Sequence, residues 1–392
     1  MEIVLLSLGV VGHVVLWVAL VNRAHGLGIH RRWVDAMTAF CVLMFCVLPI
    51  AVVAALVSVL APRMTLPITL AYAAARIYIV ACAAVCVVAA TQRLYWKFHA
   101  ERRGALASNH TATIDVAAES NESLTAPGFS TLLGRLPLNE VLKLRVQEKQ
   151  VELPRLSSEF IGLRIVHLSD LHMSGRIAKA FFERVVDEVN ECDAALVAIT
   201  GDIVERTECL DWIPSTLGRL RARGGVYYVL GNHDRRVGKD RLTAALDDAG
   251  LIHVSGSPRN FFVGDTRVVL AGNELPWFGP ATDLADCPPH DSSGLPVRIA
   301  LVHSPDRFAW AQANEIDLVL AGHVHGGQVC LPVLGPIVAP SLHGVRYAGG
   351  IYRAGNTVMH VSRGTSSFTP IRWNCPPEIA VLNLRPVEGA VL

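Results

Sequence analysis

The side chains best suited to chemistry in this sequence are those that hold cations and move protons, and they sit at the ends of short apolar runs. Asp170 and His172 close the stretch 163–172, directly after Ile165 to Ser169. In an extended or just-turning backbone, positions i and i+2 point to the same side, so this carboxylate and imidazole can reach one ion together. The same event recurs down the chain. The run 194–199 leads into Thr200-Gly201-Asp202, 226–230 into Gly231-Asn232-His233-Asp234, 297–302 into His303-Ser304, and 316–321 into Gly322-His323-Val324-His325. These runs are short and rich in β-branched residues, as buried strands are. Ligands of open α/β sheets bind beyond the carboxyl ends of the strands, so the tips are expected to converge on one site. Taken singly, each residue has a plainer origin: an Asp after a strand commonly caps a helix or turn. His167, His253, His290, His343 and His360 are read as ordinary core or surface histidines, and Asp306 as a cap. It is the ordered recurrence that makes a site of the others.

The elements that must position these residues follow from the rest of the chain. Its 392 residues suggest two or three structural units. Hydrophobic residues make up 52%, and the excess lies in the first hundred positions. There, runs at 3–21, 36–61 and 66–91 are each long enough to cross a bilayer. Glu2 precedes the first run where a signal peptide carries basic residues, which reads as a retained anchor. Arg76 in the third run is expected to snorkel to the interface or to face a neighbouring helix. Arg23, Arg31 and Arg32 follow the first run and Arg93, Lys97, Arg102 and Arg103 the third, against Arg63 alone between the second and third. Positive charge marks the cytoplasmic side, so the region after the third run is expected there, at the inner or cell membrane.

Residues 104–130 are small, polar and unperiodic and read as a flexible linker. The domain 131–392 then opens on an edge strand within 138–152. Helical segments at 177–192 and 239–249 alternate with the strand-like runs, which is the rhythm of an α/β fold. The apolar, proline-punctuated stretch 326–340 reads as a partly buried rim loop or as a contact for lipid. A net charge of +1 and the lack of a basic tract argue against nucleic acid as a partner. The nine cysteines have no CxxC spacing and read as free thiols of a reducing compartment.

The set Asp-x-His, Gly-Asp, Gly-Asn-His-Asp, His and Gly-His-x-His, in that order over roughly 150–385, resembles the calcineurin-like metallophosphoesterase superfamily in its membrane-anchored bacterial form. The closing stretch from Val361-Ser362-Arg363-Gly364 to Pro376-Pro377-Glu378 is similar to the C-terminus of such members. The resemblance implies a four-layer α/β/β/α sandwich of two mixed sheets after the N-terminal transmembrane helices. It also implies two divalent metal ions, with Asp170, His172 and His325 on the first, Asp202 bridging, and Asn232, His303 and His323 on the second. Such a pair neutralises phosphoryl oxygens and activates a water. Carboxylate, imidazole and amide ligands suit Mn, Fe or Zn. His233 is left as the general acid, to be oriented by Asp234 or Glu205. Glu205 stands where members with Gly-Asp-x-x-Asp carry the shorter aspartate. The function implied is a membrane-anchored phosphohydrolase acting on phosphoester or pyrophosphate bonds, with lipid-linked diphosphates such as UDP-diacylglucosamine as one substrate class. Arg206, Arg235, Arg236, Arg363 and Arg372 are candidates to grip substrate. The alternative is a catalytically silent membrane scaffold that uses the same fold to bind partners.

Overall fold

The computed structural model describes residues 1–58, 65–98, 105–120 and 122–387. The end of the second apolar run (59–61) and residues 104 and 121 of the expected linker lie outside them. Contacts divide the chain into two units, 1–100 with 340–344, and 101–339 with 345–392.

The first unit contains helices α1 (Glu2–Gly26), α2 (Arg31–Ser58) and α3 (Leu66–Phe98). All three are long and apolar enough to cross a membrane. Gly9 and Gly12 on α1 let α3 approach closely: a Cβ on Gly12 would lie 1.7 Å from the Cys82 carbonyl oxygen. Small residues at such crossings are how helices pack where water provides no driving force. One partly buried polar knot ties the three together. The His13 imidazole is 2.7 Å from the Tyr78 hydroxyl and 3.0 Å from the Phe45 carbonyl oxygen, and Trp17 Nε1 donates to Tyr78. Arg76 pairs with Glu2 at 2.9 Å, so it both faces a neighbouring helix and stays exposed.

The second unit begins earlier than the sequence suggested. Strand β1 (Leu106–Asp115) occupies the expected linker and pairs antiparallel with β2 (Lys143–Leu153). It lies at the sheet edge with nearly every residue exposed, so it carries no apolar alternation to betray it. Short helices α4 (Val116–Glu119) and α5 (Phe129–Gly134) separate the two strands. Next come β3 (Arg164–Leu168), α6 (Lys179–Glu191), β4 (Leu196–Thr200), β5 (Val226–Val229), α7 (Lys239–Asp248) and β6 (Ile252–His253). Then follow β7 (Arg259–Val263), β8 (Thr266–Asn273), β9 (Val297–Val302), α8 (Phe308–Ala313) and β10 (Leu318–Ala321). The unit closes with β11 (Cys330–Leu331), β12 (Gly335–Pro336), β13 (Gly350–Ala354), β14 (Thr357–Val361) and β15 (Glu378–Pro386).

Two mixed sheets result, ordered β1-β2-β15-β3-β4-β5-β6 and β13-β14-β10-β9-β8-β7. Their residues alternate between layers, as the period of two requires. On β4, Val197 and Ile199 pack towards α6 and α7, while Leu196 and Ala198 face the other sheet. On β10, Leu318 and Leu320 join the layer between the sheets, and Val319 and Ala321 pack towards α8. The architecture is therefore helix, sheet, sheet, helix. Strands β3, β4 and β5 run parallel in one sheet, and β9 and β10 in the other. Their C-terminal tips are the five positions that carry the expected ligand residues.

Candidate metal centre

The backbone at those tips is unusual. Asp170, His172, Asp202, His323 and His325 all have positive φ, between 47° and 73°. Non-glycine residues in this region cost about 1–3 kcal/mol each and persist only where the surroundings hold them, most often at functional sites. Asp and His tolerate it better than most residues. Hydrogen bonds continue the sheet past the strand ends: Asp170 N donates to Gly201 O (3.0 Å) and His172 N to Asp202 O (2.8 Å). Two glycines are required by close approach. A Cβ on Gly231 would lie 2.3 Å from Asp202 Oδ1, and one on Gly322 would lie 1.7 Å from Ser169 Oγ.

The structure brings all seven sequence-derived ligand residues together. Asp170, His172, Asp202 and His325 form one group and Asp202, His303 and His323 another, each with ligand atoms within 4.8 Å of one another. Asp202 belongs to both. One of its oxygens faces His172 Nε2 at 3.7 Å and the other faces His303 Nε2 at 3.3 Å. Asn232 Oδ1 lies 2.9 Å from His303 Nε2. The atoms that face one another are electron-pair donors: His172 Nε2 is 2.9 Å from His325 Nε2, and His323 Nδ1 is 3.1 Å from His303 Nε2. A buried set of carboxylate, imidazole and amide donors converging this closely fits divalent cations.

The far side of each imidazole fixes its role. His303 Nδ1 donates to the Thr200 carbonyl at 2.7 Å, which turns Nε2 towards Asp202. Burial disfavours the ring's charge, but Asp202 raises its pKa to about 9, so a cation binding at Nε2 displaces a proton. Burial, then His172 and Arg372, hold the His325 imidazolium well below its ordinary pKa, so this ring is neutral as a ligand must be. Glu205 serves two histidines at once. One of its oxygens lies 2.5 Å from His172 Nδ1 and 2.5 Å from His233 Nδ1, while the other pairs with Arg236. The longer glutamate thus reaches where an aspartate is expected. Asp234 instead holds backbone: it accepts the N–H groups of Ile203 (2.8 Å), Val204 (3.0 Å) and Gly231 (2.7 Å) and so joins two of the tips. His233 donates its backbone N–H to Asp202 Oδ1 at 2.8 Å and keeps its ring at the edge of the cluster. Burial disfavours its charge, but the Asp202 and Glu205 carboxylates outweigh that and raise its pKa above 6.5.

Of the candidate arginines, Arg372 is fully buried and bonds the carbonyls of Arg363, Ser366 and Cys375, which leaves it no part in gripping substrate. Arg206 pairs with Glu208 on the surface. Two neighbours of the cluster gave no signal in the sequence. Trp277 packs its ring 5.3 Å from His303 and 4.8 Å from His323, and Phe368 lies 6.1 Å from His233. Aromatic residues are too common for their types alone to reveal such a wall. His167 and His360 are not ligands. Lys149 Nζ donates to His360 Nε2 (2.9 Å), His360 Nδ1 is 2.8 Å from His167 Nδ1, and His167 Nε2 is 2.8 Å from Thr200 Oγ1. A lysine can only donate when charged, so this chain fixes both tautomers up to the residue that orients His303.

A two-sheet α/β sandwich with a buried N/O donor cluster at its strand tips is an arrangement suited to a metal-dependent hydrolase. The family model described as calcineurin-like phosphoesterase matches residues 163–327. The chain is 30% identical over 232 residues to the metallophosphoesterase YkuE of Bacillus subtilis strain 168, covering 58% of this chain and 80% of that one. It is 28% identical over 226 residues to the phosphodiesterase YaeI of Escherichia coli K12, covering 56% and 82%. It is 26% identical over 296 residues to the UDP-2,3-diacylglucosamine pyrophosphatase LpxG of Chlamydia trachomatis serovar D, covering 61% and 88%. The chain belongs to the calcineurin-like metallophosphoesterase family.

Glu205→Gln preserves an acceptor for His172 Nδ1 but removes the charge that favours protonated His233. The alkaline limb of the pH–kcat profile, where His233 loses its proton, is expected to move to lower pH, with a rate loss of about tenfold or more. An alkaline limb at the wild-type position contradicts this role for Glu205.

Proposed function

We propose that the protein is a membrane-anchored phosphohydrolase that uses two divalent ions to cleave phosphodiester or pyrophosphate bonds. The observation that carries the reading is the sharing of Asp202 between two donor groups, with His233 held beside them by Glu205. Asp170, His172, Asp202 and His325 would hold one ion, and Asp202, Asn232, His303 and His323 the other. When bound, the ions supply charge neutralisation for the phosphoryl oxygens and an activated water. The chain's own residues do the rest. Asp202 and Asp170 keep the pocket anionic enough to hold cations, while the neutral Asn232 limits that charge where an anionic substrate must enter. Thr200 and Glu205 fix the rings of His303 and His172. His233 gives its Nε2 proton to the departing oxygen, which its raised pKa favours at neutral pH.

Three helices able to cross a membrane support a substrate at the bilayer surface, and the likeness to a UDP-2,3-diacylglucosamine pyrophosphatase supports a lipid-linked diphosphate. The excess of arginine and lysine after the first and third helices supports a catalytic unit on the cytoplasmic side.

Full-length protein in detergent, stripped of metal and titrated with Mn²⁺, is expected to hydrolyse bis(p-nitrophenyl) phosphate. Asp202→Asn and His233→Ala should each lose about 100-fold or more. Turnover without metal, or undiminished in Asp202→Asn, contradicts the proposal, and no turnover with any divalent ion favours the silent scaffold. A reporter fused after residue 103 should be active only if it is one that works in the cytoplasm. Activity of an exported reporter at that point overturns the orientation.

A further inference from the structure

The two ends of the ligand set meet different neighbours. Beside His303 and His323 stands Trp277, whereas beside His233 stand Phe368 and two guanidinium groups. Arg176 Cζ lies 3.8 Å from the centre of the Phe368 ring and Arg236 Cζ lies 4.8 Å from it. The loop that carries Phe368 is fixed to the first strand tip: Thr365 N donates to Ser169 O at 2.7 Å and Ser366 N to Asp170 O at 3.0 Å. Arg176 leaves that same tip four residues after His172, and its Nη1 donates to the Phe368 carbonyl at 2.9 Å. No carboxylate pairs with Arg176 among the described residues, although it is partly buried. Arg236 gives part of its guanidinium to Glu205 and keeps the rest at the surface.

His233 marks where the leaving group departs. Its side chain is 25% exposed, against 2% for His172 and 0% for His303, so this edge of the cluster reaches solvent. A neutral phenol or alcohol leaving here has no use for two cations. A phosphate leaving here has: the planar guanidinium matches phosphate oxygens in pairs, and the aromatic face beneath holds the cation in place without neutralising it. In hydrolysis of a diphosphate diester, the oxygen of water bonds to one phosphorus and the anhydride bond to that phosphorus breaks. The bridging oxygen departs with the electron pair on the second phosphate and takes the Nε2 proton of His233, which solvent restores. The two protons of water pass to the new phosphate oxygens or to solvent, and the products are two phosphate monoesters.

We propose that Arg176, Phe368 and Arg236 form an anion subsite beside His233 that receives the second phosphate of a phosphoric anhydride. The inference rests on the phosphohydrolase reading above and narrows it to diphosphate diesters over simple phosphodiesters.

The test is kcat/KM of the full chain in detergent with Mn²⁺ on two substrates, UDP-2,3-diacylglucosamine and bis(p-nitrophenyl) phosphate. In Arg176→Gln the ratio of the first to the second falls about tenfold or more, and Arg176→Lys, which keeps the charge but not the planar fork, recovers only part of that loss. Should Arg176→Gln fail to fold, Phe368→Leu, which removes the platform, lowers the same ratio. An unchanged ratio overturns the subsite, as does a wild-type protein that hydrolyses only the phosphodiester; either result leaves the enzyme standing. Absence of metal-dependent turnover on both substrates overturns the phosphohydrolase reading and the subsite with it.

Discussion

The buried carboxylate of Asp202 is the constraint on which the rest of the catalytic unit depends. Removing such a charge from water costs several kcal/mol unless partners surround it. Here burial would push its pKa up, but His303, His233 and His172 more than offset this and hold it well below the usual carboxylate range. That arrangement in turn requires imidazoles from separate strand tips to arrive at one point. The left-handed backbone at five ligand residues and the close approaches of Gly231 and Gly322 are what bring them there. None of these features stabilises a fold on its own account. They make sense as the cost of holding donor atoms against one another, which a bound cation offsets.

The site is legible in the sequence because its chemistry is confined to strand ends. A buried strand gives an apolar run, and a ligand directly after it breaks that run with a residue type that needs a reason. Five repetitions in order leave few alternatives. Glu205 is ambiguous in sequence, since its length relative to aspartate says nothing about which imidazoles it reaches; the structure gives it two. Arg176, Trp277 and Phe368 are invisible there because the residues they meet are distant in the chain, and no spacing rule links a turn arginine to a far loop.

The same logic explains where sequence and fold part. The strand β1 is polar on both faces because it sits at a sheet edge, so composition alone makes it a linker. The buried chain Lys149–His360–His167 reverses the case. Its members look like scattered ordinary residues, yet they form a polar seam between two otherwise apolar sheets. Glu378 pairs with Lys149 there. Burial lowers the pKa of His167 to about 3, so the seam is built from neutral imidazoles with one ion pair at its end. Through Thr200 it reaches the ring of His303, which couples the middle of the sandwich to the metal centre.

The proposed mechanism turns on Asp202 joining two cation sites and on His233 belonging to neither. The most direct measurement is the number of Mn²⁺ ions bound per full-length chain in detergent, by titration calorimetry with elemental analysis of the same samples. Two ions are expected for the wild-type protein and for His233→Ala. In Asp202→Asn one ion is expected, or two bound about tenfold or more weakly. A wild-type chain that binds no more than one ion, or an Asp202→Asn chain that binds two with unchanged affinity, would contradict it.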